Sequence, residues 1–145
     1  MQYFEEISDK TLDLGKLSNQ NFVLYFYPKD NTSGCTLEAL EFSELYHEFV
    51  ALGYHIYGIS KDTVGSHLKF KEKNNIPFEL ISDPERVLLN RFEVVKEKKM
   101  YGKVVKGTER STFIFKKDFE LIKSFRNVKA QGHAKEVLEY IKENS

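Results

Sequence analysis

"NFVLYFYPKDNTSGCTLEAL", residues 21–40, decides how this chain is read. The first seven residues are almost all apolar, aromatic or β-branched, the composition of a strand covered on both faces of a sheet. The segment "PKDNTSG" that follows is turn chemistry, with Pro, Asp, Asn, Ser and Gly side by side. Beyond it Leu37, Leu40, Leu45, Phe49 and Leu52 recur at close to helical spacing, and Gly53 reads as the stop of that helix. The order is strand, turn, helix. The one cysteine of the chain, Cys35, falls at the head of the helix, just beyond the carboxyl end of a central strand, which is where α/β sheets place their chemistry.

Working outward from this unit, "YHIYGIS" (54–60) predicts a second strand, residues 64–74 a lysine-rich helix, "FELIS" (78–82) a short strand and residues 84–92 a further helix. Two more strands, "RSTFIF" (110–115) and "LIKSF" (121–125), flank the turn "KKDFE", and "HAKEVLEYIKEN" (133–144) closes the pattern as an amphipathic helix. Alternating units with a terminal hairpin predict an α/β fold with a central mixed β-sheet flanked by helices. The segment 93–107, "EVVKEKKMYGKVVKG", receives no assignment, and its lysines read as a solvated face.

No repeat, low-complexity tract or linker divides the 145 residues, so one domain over residues 1–145 is expected. Lys plus Arg and Asp plus Glu both total 22, and a net charge of zero argues against a nucleic-acid or acidic-lipid partner. Residues 1–10 are acidic where a signal peptide needs a basic start, and no apolar run approaches the roughly 20 residues that span a bilayer. A lone cysteine forms no internal disulfide. These features point to a cytoplasmic protein off the membrane.

A helix N-terminus favours a thiolate, so the position of Cys35 suits a reactive thiol. Buried cysteine is also a common small hydrophobe, but the loop of Asp30, Asn31, Ser33 and Gly34 is a poor address for a core filler. His47, His55, His67 and His133 are scattered, none at a ligand spacing from Cys35, and read as surface or helix-face residues; no metal or cofactor is implied. His47 lies twelve residues along the same helix from Cys35, about 18 Å by the helical rise, too far to activate the thiol.

The segment "FYPKDNTSGCTLEA", 26–39, resembles the active-site segment of the peroxiredoxins, thiol peroxidases of thioredoxin-like fold whose motif is Pro, three residues, Thr, two residues, Cys. Pro28, Thr32 and Cys35 match it. The wording is similar to the bacterioferritin comigratory protein or PrxQ subfamily, and "MYGKVVKGTERSTFIF", 100–115, is similar to that subfamily's segment bearing the active-site arginine, which places Arg110. The resemblance runs from about Phe22 to the C-terminus.

It implies a peroxidatic Cys35 that attacks hydrogen peroxide or an organic hydroperoxide and becomes sulfenic acid. Arg110 and Thr32 would stabilise the charge moving between sulfur and oxygen, with backbone N–H groups near Gly34 and Cys35 as further donors. Pro28 would shield the thiolate, and Glu38 would buttress the arginine from the first helical turn. Thr32 also reads as a helix cap and Pro28 as a strand end.

Ser33 stands where the subfamily usually has Pro, and Leu40 where many members carry a resolving cysteine. With no second cysteine, the resemblance implies reduction by an external thiol such as thioredoxin, glutaredoxin or glutathione. A monomer is expected, with a dimer left open. The competing class is a redox sensor or thiol-dependent binding protein that oxidises once rather than turning over. A thioredoxin-type reductase is excluded by spacing, since Cys35 is followed by Thr36, Leu37 and Glu38 rather than a CxxC.

Overall fold

In a computed structural model, residues 14–144 are described. The acidic opening stretch 1–10 lies outside them.

Strand β1 (Asn21–Phe26) occupies the middle of a five-stranded sheet. It pairs in parallel with β2 (Tyr54–Ser60), which pairs in parallel with β3 (Glu79–Ser82). On its other side it pairs antiparallel with the sixth strand, β6 (Ser111–Lys116), whose hairpin partner β7 (Glu120–Phe125) forms the edge. The spatial order is β3-β2-β1-β6-β7, a mixed sheet as the sequence predicts.

Alternation along β1 divides the core in two. Val23, Tyr25 and Tyr27 enter one cluster, Phe22, Leu24 and Phe26 the other. On the first face Tyr25 stacks on Phe42 of helix α1 (Ser33–Ala51) at 4.7 Å, and helix α4 (His133–Glu143) adds Ala134, Val137, Leu138 and Ile141. On the second face Phe22 stacks on Phe115 at 4.9 Å, and the short helix α3 (Val87–Arg91) adds Leu88 and Leu89. Helix α2 (Val64–Asn74) turns Phe70 into the first cluster. Among the described residues no helix is long and apolar enough to cross a membrane.

Three local differences from the sequence reading have physical causes. The helix expected over 84–92 begins only at Val87, because the Asp83 carboxylate accepts from the Val87 and Leu89 N–H groups and Arg86 takes a left-handed φ of 57°, leaving Pro84–Arg86 as a turn. Segment 93–107 is largely a hairpin, β4 (Val95–Met100) and β5 (Lys103–Thr108), closed by Tyr101 and Gly102, both at positive φ as a primed turn requires. In α1, Leu37 and Leu40 face solvent, Leu40 at 43 % exposure, while Cys35, Glu38, Ala39, Phe42 and Phe49 are buried.

Candidate active site

The active-site candidates converge where β1 ends and α1 begins. After Tyr27, whose N–H still bonds to Ile59 O at 3.1 Å, the chain leaves the sheet at the half-buried Pro28. Asn31 turns the corner at a φ of 62°, a conformation that Asn tolerates well. The first helical bond then runs from Thr36 N to Thr32 O at 2.9 Å, so the N–H groups of Ser33, Gly34 and Cys35 precede the helix ladder and converge on its first turn.

Cys35 is the third residue of α1 and is 2 % exposed. Arg110 arrives from the connection into β6, and its Nη2 lies 3.5 Å from Cys35 Sγ, within hydrogen-bond reach for sulfur. Its Nη1 donates to Glu38 Oε1 at 2.6 Å, a short charge-assisted bond that aims the guanidinium. Gly34 completes this contact: a Cβ there would stand 3.2 Å from Arg110 Nη2, so a larger residue would press on the arginine.

Glu38 is fully buried, and only Oε1 has a partner; Oε2 has none. Burial pushes its carboxyl up to about 7, against the pull of Arg110. Burial also works against the Arg110 charge, but Glu38 and Cys35 hold the guanidinium above its ordinary value. Beneath them lies Tyr25, fully buried, its hydroxyl also unpartnered; burial, then the charges of Glu38 and Cys35, raise it well above the usual range. The centre is a thiol, a fixed cation and a carboxyl with hydrogen-bonding capacity in reserve.

The structure brings together Cys35, Glu38, Arg110 and Gly34. It does not bring the Thr32 hydroxyl onto the sulfur in a direct bond: Thr32 holds the N-cap position, yet its Oγ1 turns back to donate to Lys29 O at 2.8 Å rather than capping the helix. Glu38 is the sixth residue of α1 and so acts from the second helical turn, not the first as expected.

Of the four histidines, expected as surface or helix-face residues, two sit on the buried faces of helices, His67 in α2 and His133 at the start of α4. His67 and His133 are buried and hydrogen-bonded, His133 between Thr112 Oγ1 at 2.7 Å and Glu136 Oε1 at 2.9 Å, with burial lowering its protonation point. His47 and His55 are exposed. Sequence reasoning also missed the role of Asp30, treated as turn chemistry, which the fold buries against α2. Its partners in α2 are 36 and 37 residues away, so no local signal marks them.

The AhpC/TSA family pattern matches residues 4–124. Peroxiredoxin Bcp of Bacillus subtilis is 45% identical over 136 residues, covering 94% of this chain and 87% of that protein. Peroxiredoxin Bcp of Xanthomonas campestris is 48% identical over 120 residues, covering 83% and 75%. The solved bacterioferritin comigratory protein of Xanthomonas campestris, described with its alkyl peroxide reduction activity, superposes with a TM-score of 0.84 at 43% identity, over 89% of this chain and 83% of that one. PrxQ of Xylella fastidiosa superposes with a TM-score of 0.86 at 43% identity, over 92% and 82%.

Proposed function

This chain belongs to the AhpC/TSA family and is a peroxiredoxin of the bacterioferritin comigratory protein type, a thiol-dependent peroxidase, and from that premise we propose that Cys35 is its peroxidatic residue and Arg110 its fixed cation. The observation that carries the assignment is the sequence of contacts Glu38 Oε1 to Arg110 Nη1 at 2.6 Å and Arg110 Nη2 to Cys35 Sγ at 3.5 Å.

The Cys35 thiolate attacks one peroxide oxygen in line with the O–O bond. A sulfur–oxygen bond forms, the O–O bond breaks, and its electron pair leaves with the second oxygen as hydroxide or alkoxide, which takes up a proton. Sulfur loses two electrons and becomes sulfenic acid. Arg110 holds charge at the start, on sulfur, and as it shifts to oxygen, without having to reorganise. The N–H groups of Ser33, Gly34 and Cys35 offer further donors, and Thr32 would join them by releasing Lys29 O. Pro28 shapes the loop between strand and helix.

Hydrogen peroxide and organic hydroperoxides are the proposed substrates; alkyl peroxide reduction by the Xanthomonas relative supports the second class. With Cys35 the only cysteine, the sulfenic acid is returned by an outside thiol. Its sulfur displaces hydroxide to give a mixed disulfide, and a second thiol releases Cys35. Thioredoxin, glutaredoxin and glutathione are the proposed sources, which fits a reducing cytoplasm. We take the chain to act as a monomer with one domain over residues 1–145, a reading supported by two core clusters that share one sheet.

The test is turnover: reduced protein is given excess cumene hydroperoxide with thioredoxin or glutathione and their recycling enzymes. Many equivalents consumed per Cys35, with a mixed disulfide in intact mass, is the expected result. Consumption that stops at one equivalent with every reductant would instead indicate a sensor.

A further inference from the structure

Breaking the O–O bond leaves an oxygen that needs a proton, and a thiolate has none to give. One guanidinium away from the sulfur stands a buried acid. Arg110 Nη1 donates to Glu38 Oε1 at 2.6 Å and Nη2 reaches Cys35 Sγ at 3.5 Å, so a single cation serves the carboxyl and the thiol. Both acids are shut off from solvent, Cys35 at 2 % exposure and Glu38 at 0 %. Were both charged, two anions would share one cation, and a buried charge short of a partner is strongly disfavoured. Glu38 Oε2 shows which of the two gives way: buried without a hydrogen-bond partner, it suits a protonated oxygen far better than an anionic one.

The surrounding groups leave that preference in place. Farther along α1, Glu41 adds like charge that works against ionisation of Glu38, and burial outweighs the pull of Arg110, carrying the carboxyl up to about 7. From β1, Tyr25 brings a neutral hydroxyl, and from α4, His133, which senses Arg110 and Glu41, is held toward its neutral form by burial. Oxidation then reverses the demand. A thiolate becomes a neutral sulfenic acid, and Arg110 loses the anion it faced at sulfur.

We propose that Glu38 and Cys35 exchange the anionic role across Arg110: Glu38 holds a proton while Cys35 is a thiolate, and gives it up as the sulfur is oxidised. The sulfur–oxygen bond forms, the O–O bond breaks, and its electron pair goes to the leaving oxygen. The proton lost from Glu38 Oε2 ends on that oxygen, giving water or an alcohol, while the hydroxyl transferred to sulfur keeps its own hydrogen. The carboxylate replaces the thiolate as the partner of Arg110, so the charge of the buried cluster is the same before and after, and the bulk supplies no net proton. When the second outside thiol releases Cys35 as a thiolate, the proton of that thiol returns to Glu38. Glu38 is thus a positioning residue that stores a proton, touching Arg110 rather than the peroxide. The inference rests on the assignment of Cys35 and Arg110 above.

The test is an infrared difference spectrum of the full chain, reduced against oxidised by hydrogen peroxide, at a pH just below that at which the Glu38 carboxyl titrates, with Glu38→Gln as control. The exchange predicts a carboxylic-acid carbonyl band that is lost on oxidation, shifts when the glutamates carry heavy carbon in their carboxyls, and is absent in Glu38→Gln. The heavy-carbon chain reads the same loss without any substitution if the Gln variant folds poorly. In stopped flow with a pH indicator, the wild type should take up no net proton as Cys35 is oxidised, and Glu38→Gln about one per cysteine. A carboxyl band that survives oxidation, no such band in the reduced protein, or equal proton uptake by the two proteins overturns the exchange, and fast oxidation in the same runs leaves the Cys35 assignment standing. A wild type no faster than free cysteine overturns that assignment and the exchange with it.

Discussion

Two buried carboxylates stand on either side of Cys35, Asp30 before it and Glu38 after it, and they differ in how many donors reach them. Three side chains fill both oxygens of Asp30; against burial, the bonds from His67 and Tyr27 hold its carboxyl below the ordinary value. A single arginine reaches Glu38, on one oxygen, and burial pushes its carboxyl up to about 7. The neighbouring tyrosines repeat the contrast: the Tyr27 hydroxyl is bonded to Asp30 and the Tyr25 hydroxyl has no partner. A fully satisfied buried network fixes a conformation, whereas a buried polar atom without a protein partner leaves its surroundings less tightly determined. On this reading the Asp30 side sets the loop and the Glu38 side serves the chemistry.

The largest effect that would sharpen this contrast is on the chemical side. Arg110→Met should lower the second-order rate of Cys35 oxidation by about 10²–10³-fold, the usual loss when one preorganised donor is removed. A drop of less than threefold in stopped flow would deny Arg110 that role. Asp30→Ala should instead act on stability, costing about 3–5 kcal/mol in urea unfolding at pH 7, because the partners of a buried charge are stranded. Since the folded carboxyl lies below its unfolded value of 3.8, the part of that stability linked to its ionisation is present above this pH and fades as pH falls through the folded value.

Glu38→Gln tests the opposite sign. A carboxyl raised from 4.5 to about 7 on folding contributes stability that is fully present below 4.5 and is lost as pH rises to about 7. Relative to the wild type, the Gln variant should therefore gain roughly 3 kcal/mol across that window. A difference that stays flat with pH would show that Glu38 is ionised throughout. The smallest effects belong to the tyrosines: Tyr27→Phe should cost about 1–2 kcal/mol, and Tyr25→Phe should stay within about 0.5 kcal/mol of neutral. Equal costs in thermal or urea melts would erase the distinction between the two sides.

Much of this arrangement is legible along the chain wherever the physics is local. β1 declares itself by a continuous apolar run and α1 by turn residues followed by a helical repeat, and Cys35 inherits its position from their junction. The repeat also misleads. Leu37 and Leu40 share the helical repeat of Leu45, Phe49 and Leu52 yet lie outside, because the buried face of α1 in that turn is given to Cys35, Glu38 and Ala39, two of them polar or reactive. The β4–β5 hairpin hides behind its lysines: β5 buries little of itself and needs no apolar alternation, and only Gly102 hints at the turn. The Asp30–His67 pair is a product of tertiary folding, 37 residues apart in sequence, and nothing near either residue announces the other.

The central claim, that Cys35 in the frame of Arg110 is a peroxidatic thiol, is tested most directly by stopped-flow oxidation of the reduced protein with hydrogen peroxide and cumene hydroperoxide, followed by dimedone trapping and intact mass. The account predicts a rate orders of magnitude above that of free cysteine, a dimedone adduct on Cys35, and neither in Cys35→Ser. A thiol that reacts no faster than free cysteine would contradict it.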